Sequence, residues 1–243
     1  MSSISKSATK TILVSLALLS ASLAHSAVID FDLSGTGSSV NGFGRDGIYV
    51  GPNFNGSNAW KPQFNWTFND VKLSVDDVTG VGTIAGTMNH QLDNSIWTIN
   101  TILNDLVVRT GTWKDMNIVR NDYNSATDDL STILSAMVPG TGVEWKSLST
   151  TISNGSTKTS LTGFAMPNIG HANVAELMWF DNFIGSDVKG LIFDAWYKGF
   201  DAQGNALVGD SKALATVPIP AAAFLFAPAF LGFLGLRRKA KQA

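Results

Sequence analysis

Glutamate is scarce in this chain: only Glu144 and Glu176 occur, each with a tryptophan close by, Trp145 and Trp179. Two carboxylates flanked by aromatic rings are what glycoside hydrolysis needs, one to protonate the leaving oxygen and one to attack or to activate water. Any chain with two glutamates offers such a pair, and nothing in this spacing brings the two together. Solvated residues on strand faces account for them more simply. Glycoside hydrolase is therefore the last of three functional readings, and no residue is assigned a catalytic role.

The other reactive types are sparse too. His90 and His171 sit in no ligand-spaced cluster, and Gly-x-Ser-x-Gly is absent, so neither a zinc site nor a serine triad has support. There is no cysteine, which removes disulfides, thiolate metal sites and cysteine nucleophiles. Asp122 to Asp129 carries the oxygen ligands of a calcium loop but lacks its turn glycine and closing glutamate. Asp128 and Asp129 are better read as acids at a helix N-terminus. No metal or cofactor is expected.

Trp60 and Trp66 are the candidate ligand-binding residues. They flank a glycine-rich stretch, Ser34 to Ala59, near Pro52, Asn53, Asn55, Asn58 and Pro62. Flat rings beside amide side chains can stack on sugars and read their hydroxyls, so a carbohydrate-binding module is the first alternative function. Core packing is the favoured explanation for both rings, and an irregular connection is the plain reading of the glycines.

The elements that would position these residues read as strands. Ile29, Phe31 and Leu33 alternate with Asp30 and Asp32; Val71, Leu73 and Val75 alternate with Lys72, Ser74 and Asp76. Trp97, Ile99, Thr101 and Leu103 share a side, as do Leu191, Phe193, Ala195 and Tyr197. Period-two alternation marks strands with one buried and one wet face, as in antiparallel sheets. Turn chemistry separates the runs at Thr79-Gly80, Ser153-Asn154-Gly155-Ser156 and Ala202-Gln203-Gly204-Asn205. The expected fold is all-β, an antiparallel sandwich or jelly roll. One helix is expected over residues 126–137, where Ala126, Leu130, Ile133, Leu134 and Met137 fall on one face. Ser125 and Asp128 would cap it, and Pro139-Gly140 would stop it.

The two ends are built differently from the middle. Lys6 and Lys10 precede an apolar run, Ile12 to Leu19, and small residues from Ala24 to Ala27, the pattern of a secretory signal over residues 1–27. At the other end Val217-Pro218-Ile219-Pro220-Ala221 leads into an apolar helix, residues 222–236, and a basic tail, residues 237–243, opening with Arg237, Arg238 and Lys239. As a helix the apolar run would reach about 24 Å against a hydrocarbon core of about 30 Å, and Pro228 would kink it. The basic cluster should stay on the cytoplasmic side and leave the body outside.

Between the ends lie residues 28–216, which hold all 19 acidic residues but only 11 of the 17 basic ones, a net charge near −8. Such a domain is large enough for its own core, and its charge argues against nucleic acid as a partner.

The order motif, apolar helix, basic stop resembles the PEP-CTERM class of bacterial sorting signals, in its VPLPA-type variant with Ile219 in the place of leucine. That resemblance implies export across the inner membrane, transient anchoring by the C-terminal helix, and processing by an exosortase, a membrane thiol peptidase. It also implies a final place at the cell surface or in the extracellular matrix, in association with exopolysaccharide. The leading functional expectation is accordingly a non-enzymatic surface or matrix protein and exosortase substrate. Its expected partners are the secretion machinery, the exosortase, the membrane in passing, and extracellular polysaccharide.

Overall fold

The computed structural model describes residues 28–34, 47–51, 64–111, 118–165, 172–181, 190–200, 203–204 and 206–216. The strands are β1 (Val28–Asp32), β2 (Gly47–Gly51), β3 (Phe64–Asp76), β4 (Gly82–His90), β5 (Ile96–Thr110), β6 (Val119–Asp122), β7 (Gly142–Ser153), β8 (Lys158–Gly163), β9 (Ala175–Phe180), β10 (Gly190–Phe200) and β11 (Ala206–Leu214). Among the described residues one helix, α1 (Leu130–Ser135), lies between β6 and β7. The secretory signal, Trp60, His171, the Val217–Ala221 motif and the basic tail lie outside the described residues. Among the described residues no helix is long and apolar enough to cross a membrane.

All-β with one short helix is what the strands and α1 form. The sheet is one, however, not the two that a sandwich needs. Every pairing is antiparallel, and the order β5-β4-β3-β2-β11-β10-β8-β7 closes through β7 back onto β5, making a barrel. Two positions in the wall are each shared by a pair of short strands. β8 and β9 sit end to end between β7 and β10, β8 against Ser149–Ser153 and β9 against Gly142–Trp145. β1 and β2 likewise share the place between β3 and the end of the barrel, where Asp32 and Thr216 exchange backbone hydrogen bonds of 2.8 and 2.9 Å. The glycine-rich stretch read as irregular thus contains a wall strand, β2.

The alternating residues named from the sequence face inward. Phe31, Leu33, Val71, Leu73, Val75, Ile99, Leu103, Phe193, Ala195 and Tyr197 are buried in one core with Ile48, Ile84, Trp145, Ile152 and Leu161. A barrel of this size has an interior just wide enough to be filled by side chains, each contributing roughly 1.5–3 kcal/mol when fully buried. The helix is shorter than its apolar spacing suggests. Asp129, with an extended backbone, is the N-cap and accepts from Thr132 N, so Ser125 and Asp128 do not cap it. Asn124 and Asp128 instead close the preceding turn, and Leu130 and Leu134 pin α1 to the core. Alanine at 126 falls in that turn because Asn124 competes for its amide.

The wall changes phase partway along β5. Leu103 and Leu106 are both in the core although three residues apart, and between them Asp105 has φ 59°. Opposite, Trp145 and Leu148 both face inward while Lys146 and Ser147 turn out. A non-glycine residue at positive φ costs on the order of 1–3 kcal/mol, and aspartate tolerates it better than most. At the same place the wall has a gap. β4 runs along β5 only as far as Leu103, and β6 takes up the same edge from Val107.

A bulge at Asn69 shifts the β3–β4 register between Phe68 and Asp70 and drives the Asp70 carbonyl toward Gly86. A Cβ at Gly86, where φ is 151°, would lie 1.8 Å from that oxygen; at Gly155, φ 87°, it would meet nothing. Gly86→Ala should therefore cost about 3 kcal/mol or more in urea denaturation, and Gly155→Ala only about 1 kcal/mol. Equal costs would show that backbone conformation, and not the bulge, governs both sites.

Candidate functional site

Glu144 and Glu176 come together. They are directly opposite one another on β7 and β9, and the next cross-strand positions carry Asp194 on β10 and Lys212 on β11. Opposite residues share a face, and here it is the outer face, since Val143, Trp145, Leu177, Phe193 and Ala213 on the same strands point into the core. The row is nonetheless buried: Glu144 and Glu176 are 1% exposed, Asp194 2% and Lys212 4%. Solvated strand-face glutamates are thus not what the structure holds. The phase change at Asp105 is the reason Glu144 escapes the core, because unbroken alternation from Leu148 would have turned it inward.

Each carboxylate is held by cations. Arg109 Nη1 donates to Glu144 Oε1 and to Glu176 Oε2, both at 2.9 Å, from a side chain with no exposed surface. Arg120, on the edge strand β6, reaches Glu144 Oε2 through Nε at 2.7 Å and Oε1 through Nη2 at 3.4 Å. Asn173 Nδ2 also donates to Glu144. Farther along, Lys212 Nζ lies 3.0 Å from Asp194 Oδ1 and 2.9 Å from Asp210 Oδ2. Among the described residues four carboxylates face three cations, an excess of one negative charge.

The excess falls on Asp194. Burial, opposed by Lys212 and reinforced by Asp210 and Glu176, pushes its pKa up to about 7. For Lys212 burial works against the ammonium, but Asp194 and Asp210 together outweigh it and hold its pKa above the ordinary lysine value. Inside the barrel, burial raises the pKa of the Tyr197 phenol, which keeps its proton beside Ser211. Like charges directly opposite one another destabilise a sheet, and the raised proton affinity of Asp194 eases that repulsion.

As chemistry, the pair of glutamates is locked. Arginine fixes both, and neither reaches solvent, so a glycosidic oxygen has no route to them in this conformation. Arg109, Arg120, Asp194 and Lys212 were not singled out from the sequence. The alternating pattern around Asp194 was the available signal, since a charge flanked on both sides by strand hydrophobics, here Phe193 and Ala195, implies burial with a partner.

Trp66 is a core residue. It is 8% exposed and packs edge-on against Trp97 at 5.5 Å and beside His90 at 5.5 Å, which leaves no open face for a sugar. His90 Nδ1 pairs with Asp93 at 3.0 Å, and Asp93 is drawn down to a pKa of about 2 by the Ser95 hydroxyl and amide and by His90. The acidic loop is likewise committed locally. Asp122 pairs with Lys146, Asp128 closes a turn, and Asp129 is held below its ordinary pKa by Thr132. Among the described residues no group of three His, Cys, Asp or Glu side chains could hold a metal.

The row makes stability depend on pH in a definite sense. The Asp194 carboxyl has a folded pKa near 7 against an ordinary 3.8, so between those values the folded chain holds the extra proton. Stability is then highest below about pH 4 and falls through neutrality by at most about 1.4 kcal/mol per pH unit. Asp93 and Asp129, with lowered pKa values, act the other way and lose their contribution only at lower pH. Asp194→Asn should flatten the fall between pH 4 and 7, read from urea midpoints at each pH; an unchanged slope would place the proton elsewhere. Arg109→Met, which removes the buried cation that joins the two carboxylates, should cost about 3–5 kcal/mol at pH 7.

No family model matches the chain, and no match is found among curated proteins or solved structures.

Proposed function

We propose that this is an exported surface or extracellular-matrix protein without catalytic activity, whose barrel is the cargo of a C-terminal sorting signal. The observation that supports the reading is the bridge between Asp32 and Thr216, which exchange backbone hydrogen bonds and tie the two ends of the described barrel together. The Val217-Pro218-Ile219-Pro220-Ala221 motif follows Thr216 directly in the sequence, so a peptidase acting on it would leave that bridge whole.

In this reading the secretion machinery passes the chain across the inner membrane. The helix at residues 222–236, oriented by Arg237, Arg238 and Lys239, holds it there until an exosortase removes the tail. The motif then lies at the outer boundary of the membrane, within reach of a membrane-embedded enzyme. The released barrel, with its net charge near −8, joins the cell surface or the polysaccharide matrix.

Replacing Pro218 and Pro220 together by alanine should leave membrane insertion intact and block release. Fractionation and mass spectrometry of the native host should then find wild type lacking residues 222–243 and the variant retaining them in the membrane. Wild type that keeps its C-terminal helix would make the segment a plain tail anchor.

A further inference from the structure

The gap in the wall between β4 and β6 opens a groove of about 410 Å³, lined by Thr79, Asn104, Asp105, Asp122, Tyr123 and Lys146. Its volume falls within the range of small-molecule sites, about 300–1,000 Å³. The groove is built from four separate parts of the chain: the β3–β4 turn, the unpaired step of β5, the end of β6 and the outward turn of β7. The parts are fixed to one another. Tyr123 donates its amide to the Leu106 carbonyl and its hydroxyl to the Asp77 carbonyl, so its ring is held at both ends. Thr79 donates to Asp76 Oδ1 at 2.8 Å, and Lys146 is drawn to Asp122. Asp105 is the exception. It is exposed, has left-handed backbone, and has no ion-pair partner among the described residues.

The lining selects among ligand classes. Asp76, Asp77, Asp128 and Asp129 add their charges at Tyr123, which repels uronates and phosphates. A bare cation finds the Lys146 ammonium already there. A neutral, hydroxyl-rich molecule can use everything present, because each hydroxyl both donates and accepts. Asp105 and Asp122 accept from it, Lys146 donates to it, Asn104 does both, and the fixed Tyr123 ring offers an apolar face to the C–H side of a sugar ring. We infer that this groove binds a neutral saccharide, with Asp105 and Lys146 as its principal polar contacts and Tyr123 as its stacking platform. The export reading supplies only where such a ligand would be met, in the extracellular matrix.

The test is calorimetric titration of the full chain, purified in a detergent without a sugar headgroup, against neutral oligosaccharides, oligogalacturonate, spermidine and calcium chloride. The expected result is binding of at least one neutral oligosaccharide, weakened tenfold or more by Asp105→Asn and by Lys146→Met, and not displaced by the three charged probes. Asp105→Gly is the variant that cannot fail through backbone strain, since glycine accepts the left-handed conformation, and it should lose binding equally. Absence of neutral saccharide binding overturns the proposal, as does binding that all three variants retain or that spermidine or calcium competes away. Binding to the purified chain is independent of how the tail is processed, so this result and that of the proline variants succeed or fail separately.

Discussion

The phase change at Asp105 is the constraint on which the rest of the structure depends. A strand fifteen residues long, β5, must serve two neighbours along one edge, β4 and then β6, while keeping a continuous partner in β7. Strict alternation along its whole length would carry Val107 and Arg109 inward with Leu103, and Glu144 inward with Leu148. The left-handed step moves that set outward at once and admits Leu106, Trp145 and Val143 to the core in its place. Trp145 then reaches across the interior, where its indole donates to the Gly80 carbonyl at 2.9 Å, tying β7 to the turn that starts β4. One strained backbone position thus decides which side of the wall carries charge and which is apolar.

The charges moved outward are not released to water. Arg109 is fully buried and joins Glu144 to Glu176, while Arg120 reaches the same Glu144 from the edge strand. A buried ion pair in isolation contributes little, because desolvation offsets attraction, but breaking one leaves a stranded charge. The row is therefore better understood as a register lock than as a source of net stability. A one-residue slip of β9 would take Glu176 away from Arg109 and put it among Leu177 and Phe193. β8 and β9 are short and share one place in the wall, the situation in which strand register is otherwise weakly fixed. For β9, Arg109 supplies what strand length does not.

Much of this was legible in the sequence, and the illegible part has a physical cause. Ile29 to Leu33, Val71 to Val75, Ile99 to Leu103 and Leu191 to Tyr197 show unbroken alternation, and each lies in the wall with the expected side inward. What alternation cannot show is how the strands close. A sandwich and a barrel draw on the same period-two pattern, and only the β5–β7 pairing, from Arg109 with Gly142 to Thr98 with Ser153, distinguishes them. The glutamates were misread for a related reason: Glu144 follows Val143 and precedes Trp145, so either neighbour or charge could have been taken as the inward residue. The polar sequence neighbours of Trp66 leave a sugar-binding face as the alternative to the favoured core packing; the core position follows from its cross-strand partner His90 and its neighbour Trp97, neither of them near in sequence.

Closure bears on the exported life proposed for the protein. With no cysteine in the chain, no disulfide can staple it outside the cell. Open sheet edges would be a further liability there, since unpaired strands template association, and a closed barrel removes them. Among the described strands β1 pairs along its length only with β3, and β6 only with β5; β6 is four residues long and carries Arg120 and Asp122, both held in ion pairs. Short length and charge are the means by which natural sheets keep an edge from recruiting another chain. The same short strand stops where the groove begins, so the feature that blunts the edge also leaves the wall gap at Asn104 to Leu106. Shielding against association and an accessible polar groove then follow from one topological fact: β6 is too short to meet β4.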